Sequence, residues 1–248
     1  MNNLKICERV KGGIKEYKEN GPINIVIIGD SVSHGCFGGK IHHDYNAVYH
    51  NRLRLMINSA YPNIPINIIN TAIGGTTADF ALRNFERDVL PHKPELAIIC
   101  FGLNDVNGST ERFTSSLSGI FEKCKNADID CIFMTPNMLN TKRHPHTAEM
   151  HFDYALKTAE MQNSGKMDSF MAAAKEAAKA QGVLLCDCYG EWKKMAENGV
   201  DTTLLLANYI NHPTREMHKL FADMLYETIF GEKFSGEDAV GDDGMIKI

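Results

Sequence analysis

A serine, a glycine pair, an asparagine and a histidine stand at four separated points of this chain, each just past an apolar run or at the start of a helical one. The serine lies in Gly29-Asp30-Ser31-Val32-Ser33-His34-Gly35, and the glycines in Asn70-Thr71-Ala72-Ile73-Gly74-Gly75-Thr76-Thr77. The asparagine lies in Phe101-Gly102-Leu103-Asn104-Asp105, and the histidine in Asn208-Tyr209-Ile210-Asn211-His212-Pro213. A serine hydroxyl is a weak nucleophile until a base takes its proton, and imidazole has the pKa for that task. The tetrahedral intermediate then needs donors aimed at its oxyanion. Backbone N–H groups at a glycine turn and an asparagine amide can supply them. The four residue types together form a coherent set for acyl transfer.

Such a set works only if the fold brings the four points to one face. Five short runs have strand character: Ile23 to Gly29, Ile66 to Asn70, Leu96 to Phe101, Ile129 to Thr135 and Val183 to Asp187. They are near-continuously apolar, as strands buried on both faces are. Helix-length segments lie between them, at Tyr45 to Ala60, Ala78 to Leu90, Glu111 to Lys125 and Ser169 to Gln181. A last helix is expected from Pro213, where Met217, Leu220, Phe221, Met224, Leu225 and Ile229 make an i, i+3, i+4 stripe. Alternation of this kind predicts an α/β fold, a three-layer sandwich with a five-stranded parallel sheet and helices on both faces. Ligands bind such sheets at the carboxyl ends of the strands, where the four motifs stand. One domain is expected over residues 1–230, followed by a loosely held, Gly- and acid-rich extension over 231–248.

Composition excludes other classes. The 248 residues are 44% hydrophobic and 23% charged, with a net charge of −5, which is globular composition without the broad positive field of a nucleic-acid binder. No apolar window reaches the roughly 18 residues of a membrane span, and residues 1–21 lack the apolar core of a signal peptide. The seven cysteines are odd in number and irregularly spaced, so free thiols in a reducing, cytoplasmic setting are expected.

The four motifs, in this order, resemble those of the SGNH hydrolases, also called the GDSL esterase/lipase family. The matching blocks are Gly29-Asp30-Ser31, Asn70 through Gly75-Thr76-Thr77, Gly102-Leu103-Asn104-Asp105 and Asn211-His212-Pro213. The resemblance implies a flavodoxin-like sheet, Ser31 as nucleophile, His212 as general base, and an oxyanion hole from the Ser31 N–H, the Gly75 N–H and the Asn104 amide. It implies a serine esterase that needs no cofactor or metal. The expected substrates are small-molecule or carbohydrate esters with short acyl groups such as O-acetyl. A lysophospholipase, a thioesterase and a catalytically inactive carbohydrate-binding relative are the alternatives.

One position departs from the pattern. Where the resemblance calls for an aspartate that orients the histidine, this chain has Asn208. Three explanations stay open: another acid, Asp187 or Asp201, reaches His212; a backbone carbonyl or Asn208 orients the ring; or catalysis is lost. The remaining motifs have plainer readings. Ser31 taken alone is a helix N-cap, Asp30 and Asp105 brace their loops, and His218 packs or is solvated rather than catalyses. His144, His146 and His151 belong to a polar loop rather than a metal site, with residues 137–165 shaping the substrate pocket. His42 and His43, near Cys36 and Phe37, are candidates for its rim.

Overall fold

Strands buried on both faces must be apolar at every position, and Ile25 to Ile28 and Leu96 to Cys100 are buried without exception. In the computed structural model of the chain, which describes residues 4–38, 41–241 and 244–246, these runs form the centre of one parallel sheet. Its strands are β1 (Ile23–Gly29), β4 (Ile66–Asn70), β5 (Leu96–Cys100), β6 (Asp130–Met134) and β7 (Leu184–Cys186), in the order β4-β1-β5-β6-β7. Ile25 pairs with Ile68 on one side and with Leu96 on the other. Between β1 and β4 in the chain a two-stranded antiparallel hairpin, β2 (Cys36–Gly38) and β3 (Ile41–His43), stands apart from the sheet.

The helices are α1 (Lys5–Asn20), α2 (Ser31–His34), α3 (Tyr49–Ala60), α4 (Ala78–Asp88), α5 (Thr110–Asn126), α6 (Phe152–Asn163), α7 (Lys166–Ala180), α8 (Cys188–Glu197) and α9 (Arg215–Phe230). The chain leaves β1 for the β4 edge through α3, then crosses back over β1 to β5 through α4. Right-handed crossovers therefore put α3 on one face and α4, α5 and α7 on the other. α9 returns to pack on α3, while α5 packs against both α4 and α7. The strand order reverses between β1 and β5, so a crevice opens beyond their carboxyl ends.

All five expected sheet strands are present, three of them trimmed at one or both ends. The helix expected from Tyr45 begins at Tyr49, because the Asp44 carboxylate accepts the N–H groups of Asn46 (3.1 Å) and Ala47 (3.0 Å) and holds a turn there. The last helix begins at Arg215, with the Thr214 hydroxyl accepting the Met217 N–H. The segment over 137–165 contains α6 in addition to loop.

The chain beyond α9 is not loosely held, which corrects that expectation for its described residues. Asp238 makes an ion pair with the buried Arg52 of α3, which also donates to the Val240 carbonyl at 3.2 Å. Val240 is buried in a small cluster with Phe37 of β2 and Ala47, against which Leu55 and Ala207 pack. Among the described residues, no helix is long and apolar enough to cross a membrane.

Candidate active site

The chain emerges from β1, the strand beside the switch point, straight into Asp30 and Ser31. Asp30 caps α2, its carboxylate accepting the Val32 N–H at 3.0 Å, and Ser31 is the first residue of that helix. Ser31 is therefore an N-terminal helix residue, one position past the cap, with its side chain in a narrow opening of 9% exposure. Burial, with a contribution from the Asp105 charge, raises the Asp30 pKa to about 7. The Asn70 amide donates to the Ser33 carbonyl at 3.1 Å and so ties the end of β4 to α2.

His212 comes to the same point from a loop closed on itself. Leu206 bridges Pro213, and the Ala207 N–H donates to the His212 carbonyl at 2.7 Å. Inside this loop the Asn208 side-chain oxygen accepts the backbone N–H groups of Ile210 (3.0 Å), Asn211 (3.0 Å) and His212 (2.9 Å), and its amide donates to the Asn211 side chain. From outside, the buried Asn137 amide donates to the Asn211 carbonyl, and the Asn140 N–H to the Ile210 carbonyl. His212 Nε2 then lies 3.0 Å from Ser31 Oγ.

The backbone of Phe37 on β2 faces the imidazole of His212 and favours its protonated form. A carbonyl only accepts, so the ring nitrogen that meets it carries the proton and Nε2 is left with its lone pair toward Ser31. Burial, only partly offset by this interaction, lowers the His212 pKa to about 4, and the neighbouring His43 and His42 push it the same way. The ring is neutral at pH 7 and ready to accept a proton.

The acids weighed for this ring are engaged elsewhere. Asp187 accepts from the Thr135 hydroxyl (2.9 Å) and the Gly190 N–H and pairs with Lys175 at 2.9 Å. Asp201 caps the Thr203 N–H and pairs with Lys142 at 2.5 Å. Asn208 is corrected from an orienter of the ring to a brace of the loop, because its oxygen is taken up by three backbone donors. The Phe37 carbonyl was missed as a specific residue, since a backbone acceptor has no residue-type signature.

β2 reaches the histidine loop because it has no side chain at the crossing. A Cβ on Gly38 would stand 3.0 Å from that of Asn208, and the Gly38 φ of +126° is one that other residues rarely adopt.

The glycine motif folds as a four-residue turn, Ile73 to Thr76, closed by a 3.3 Å bond. Gly75 holds its third position at a φ of 79°, which glycine adopts without strain. The turn lies against the serine: a Cβ on Gly74 would sit 3.6 Å from Ser31 Cβ. The Gly74 N–H points to His34 Nδ1 at 3.3 Å, which leaves Gly75 as the turn's candidate oxyanion donor. Asn104, beyond β5, donates to the Thr76 carbonyl at 2.9 Å and faces Asp30 at 3.5 Å. The first is a full hydrogen bond; the second is too long to occupy the other amide proton. Asp105 accepts the N–H groups of Ala78 (2.9 Å) and Gly102 (3.1 Å) and so pins α4 to the end of β5. The structure thus brings Ser31, Gly75, Asn104 and His212 to one crevice.

Near this centre, Tyr154 of α6 lies beside Asn107, and burial raises its pKa. On another side His144 stacks on Tyr209, with ring centroids 4.1 Å apart, and His146 packs edge-on to His144. Two cavities flank the crevice. One, of about 260 Å³, is lined by Thr77, Asn104, Asn107 and Arg112 among others. The second, of about 410 Å³, is lined by His34, Tyr45, Asn51, Arg54 and Asn70 among others. His218 packs beneath, fully buried against Phe37 and Tyr49 and accepting the Tyr49 N–H.

Comparisons with known proteins bear on the family and the fold. A sequence model of the GDSL-like lipase/acylhydrolase family matches residues 27–220. A Bacillus subtilis protein named lipoprotein YqeF is 26% identical over 178 residues, 66% of this chain and 72% of that one. Among solved structures, the acetylxylan esterase Axe2 of Geobacillus stearothermophilus has a TM-score of 0.66 at 18% identity, over 86% of this chain and 95% of its own. The acetyl xylan esterase AlAXEase gives 0.65 at 17%, over 84% and 100%. LAE5, an α/β hydrolase from the metagenome of Lake Arreo in Spain, gives 0.64 at 19%, over 83% and 94%. At these identities the likeness to the solved structures is one of fold.

Proposed function

The chain belongs to the GDSL-like lipase/acylhydrolase family, and on that premise we propose that it is a serine esterase that removes short acyl groups, O-acetyl foremost, from a carbohydrate. The observation that carries the reading is the 3.0 Å contact between Ser31 Oγ and the Nε2 of a half-buried, neutral His212. His212 takes the Ser31 proton as the hydroxyl oxygen attacks the ester carbonyl. The Ser31 N–H, the Gly75 N–H and the second Asn104 amide proton hold the oxyanion. His212 then protonates the leaving alcohol, and water repeats the sequence on the acyl-enzyme. The Phe37 carbonyl dipole takes the orienting role of the usual aspartate. It fixes the productive tautomer, whose loss accounts for much of the roughly 10⁴-fold drop in kcat when serine proteases exchange that aspartate for asparagine.

The substrate class draws on two supports. The flanking cavities are lined mainly by hydrogen-bonding side chains, which suit a sugar better than a long acyl chain. Two of the fold relatives are acetylxylan esterases. The seven free thiols favour a reducing compartment, the cytoplasm, and fractionation of the native host tests that placement against the lipoprotein relative.

Hydrolysis of p-nitrophenyl acetate by the wild type beside Ser31→Ala tests the mechanism, with fluorophosphonate labelling of Ser31 as a second readout. Acetylated xylooligosaccharides beside long-chain esters then test the substrate class. A competing reading, a non-hydrolysing carbohydrate binder, rests on the carbonyl where a carboxylate is usual. Acetate release that vanishes in Ser31→Ala refutes it, and an inert wild type across a broad ester panel refutes the esterase.

A further inference from the structure

We propose that His34, Cys36 and His43 form a binding site for a borderline-soft divalent cation of the zinc type, beside the Ser31 crevice. One ligand atom from each of the three lies within 4.8 Å of the others. Cys36 Sγ and His43 Nε2 are 3.2 Å apart, and the His34 and His43 ring centroids are 4.7 Å apart. Donors around a tetrahedral ion with bonds of roughly 2.0–2.3 Å stand about 3.5 Å from each other. The cysteine–histidine pair is already at that spacing. Closing the rest takes about an ångström, within reach of the exposed His43 side chain. Two imidazoles and a thiolate suit zinc or cobalt rather than magnesium or calcium, and three protein ligands leave a fourth position for water.

Binding has a defined proton balance. The ligand form of a cysteine is the thiolate, so its thiol proton must leave. The ion displaces that proton, and one H⁺ leaves for each cation bound. A neutral imidazole has one ring lone pair, and in His34 it accepts the long Gly74 N–H bond. Coordination claims that lone pair and releases the Gly74 N–H beside Ser31.

The placement gives the site a consequence. His34 ends α2, the helix that Ser31 begins. Cys36 and His43 are cross-strand partners in the β2–β3 hairpin. An ion held by all three clips the hairpin to that helix, and Phe37, whose carbonyl holds His212, lies within the clip.

The test reads binding alone, so its outcome is independent of the esterase reading. The full chain, stripped with a chelator, is titrated with Co²⁺. The expected result is a one-to-one complex with thiolate-to-cobalt charge transfer and the strong visible bands of a four-coordinate ion, displaced by Zn²⁺. Cys36→Ser should abolish the charge transfer although six cysteines remain. His43→Ala, at an exposed position, should weaken binding by more than the roughly 10–100-fold loss typical of removing a mere supporting partner. Zn²⁺ should also slow hydrogen exchange at the Cys36 and Phe37 amides. No charge transfer in the wild type, or bands that survive both substitutions, would overturn the site.

Discussion

A carbonyl oxygen and a carboxylate offer an imidazolium different things: both fix the ring, but only the carboxylate brings a full charge. His212 has the carbonyl of Phe37, and its pKa falls to about 4. The base stays mostly neutral down to that pH, so the acid limb of kcat/KM should lie near pH 4 to 5 rather than near the roughly 6.5 of free imidazole. A limb at or above 6.5 in a pH–rate profile would mean that a carboxylate supports the ring after all. Asn208 leads to a second expectation. Its oxygen already caps three backbone N–H groups, a task that a carboxylate performs equally well. Asn208→Asp should therefore bring no gain in kcat, whereas Asn208→Ala should cost about 1–2 kcal/mol of stability and lower kcat with the loosened loop. Thermal melts beside steady-state assays separate the two variants. Ser31, Asn104 and His212 were legible because their chemistry belongs to the residue type, and Gly75 because a glycine motif marks the turn that presents its N–H. Phe37 was not, because it contributes an atom that every residue carries.

Strands were the easiest elements to read, since burial on both faces leaves an unbroken apolar signature such as Ile25 to Ile28. The elements that escaped reading lack any such pattern. α1 carries Gly12 and Gly13 at its middle and bends there, at a Gly13 φ of 58°. α8 opens with Cys-Tyr-Gly directly behind a strand, and α6 lies in a polar stretch. The β2–β3 hairpin has only three residues per strand, yet it delivers the Phe37 carbonyl. Its fit depends on Gly38. Gly38→Ala adds a methyl 3.0 Å from Asn208 Cβ at a strained φ, which pushes the hairpin off the histidine loop. The expected outcome is a fall in kcat with KM little changed and slower fluorophosphonate labelling of Ser31. Wild-type rates in that variant would remove the hairpin from the mechanism.

Across the whole molecule, buried ionisable groups pull stability in opposite directions. Burial lowers His50 and His212 to about 4 and holds His218 well below the ordinary imidazole value. Between about pH 4 and 6.5 the unfolded chain binds more protons at these rings than the native one, so their contribution rises with pH. Asp30 and Asp105, raised mainly by burial to about 7 and about 6, do the reverse, and their contribution falls as pH climbs from about 4. Three rings against two carboxyls leave a surplus of one proton, a rise of up to about 1.4 kcal/mol per pH unit. As the rings stop titrating, the remaining ionisation of Asp30 offsets them, so stability should climb up to about pH 6 and level off near neutrality. Urea midpoints from pH 4 to 8 check this, and midpoints that fall between pH 4 and 6 would contradict it. The tether from Arg52 to Asp238 and Val240 has a practical side. Val240 supports Phe37 from beneath, so the end of the chain underpins the site. Removing the residues after 230 takes the Asp238 carboxylate away from the buried Arg52, a loss of about 3 kcal/mol. A preparation nicked there by a protease would keep its helical circular dichroism, melt earlier and assay poorly. An intact mass by spectrometry is thus a precondition for comparing specific activities between batches, and an affinity handle cleaved from that end carries the same hazard.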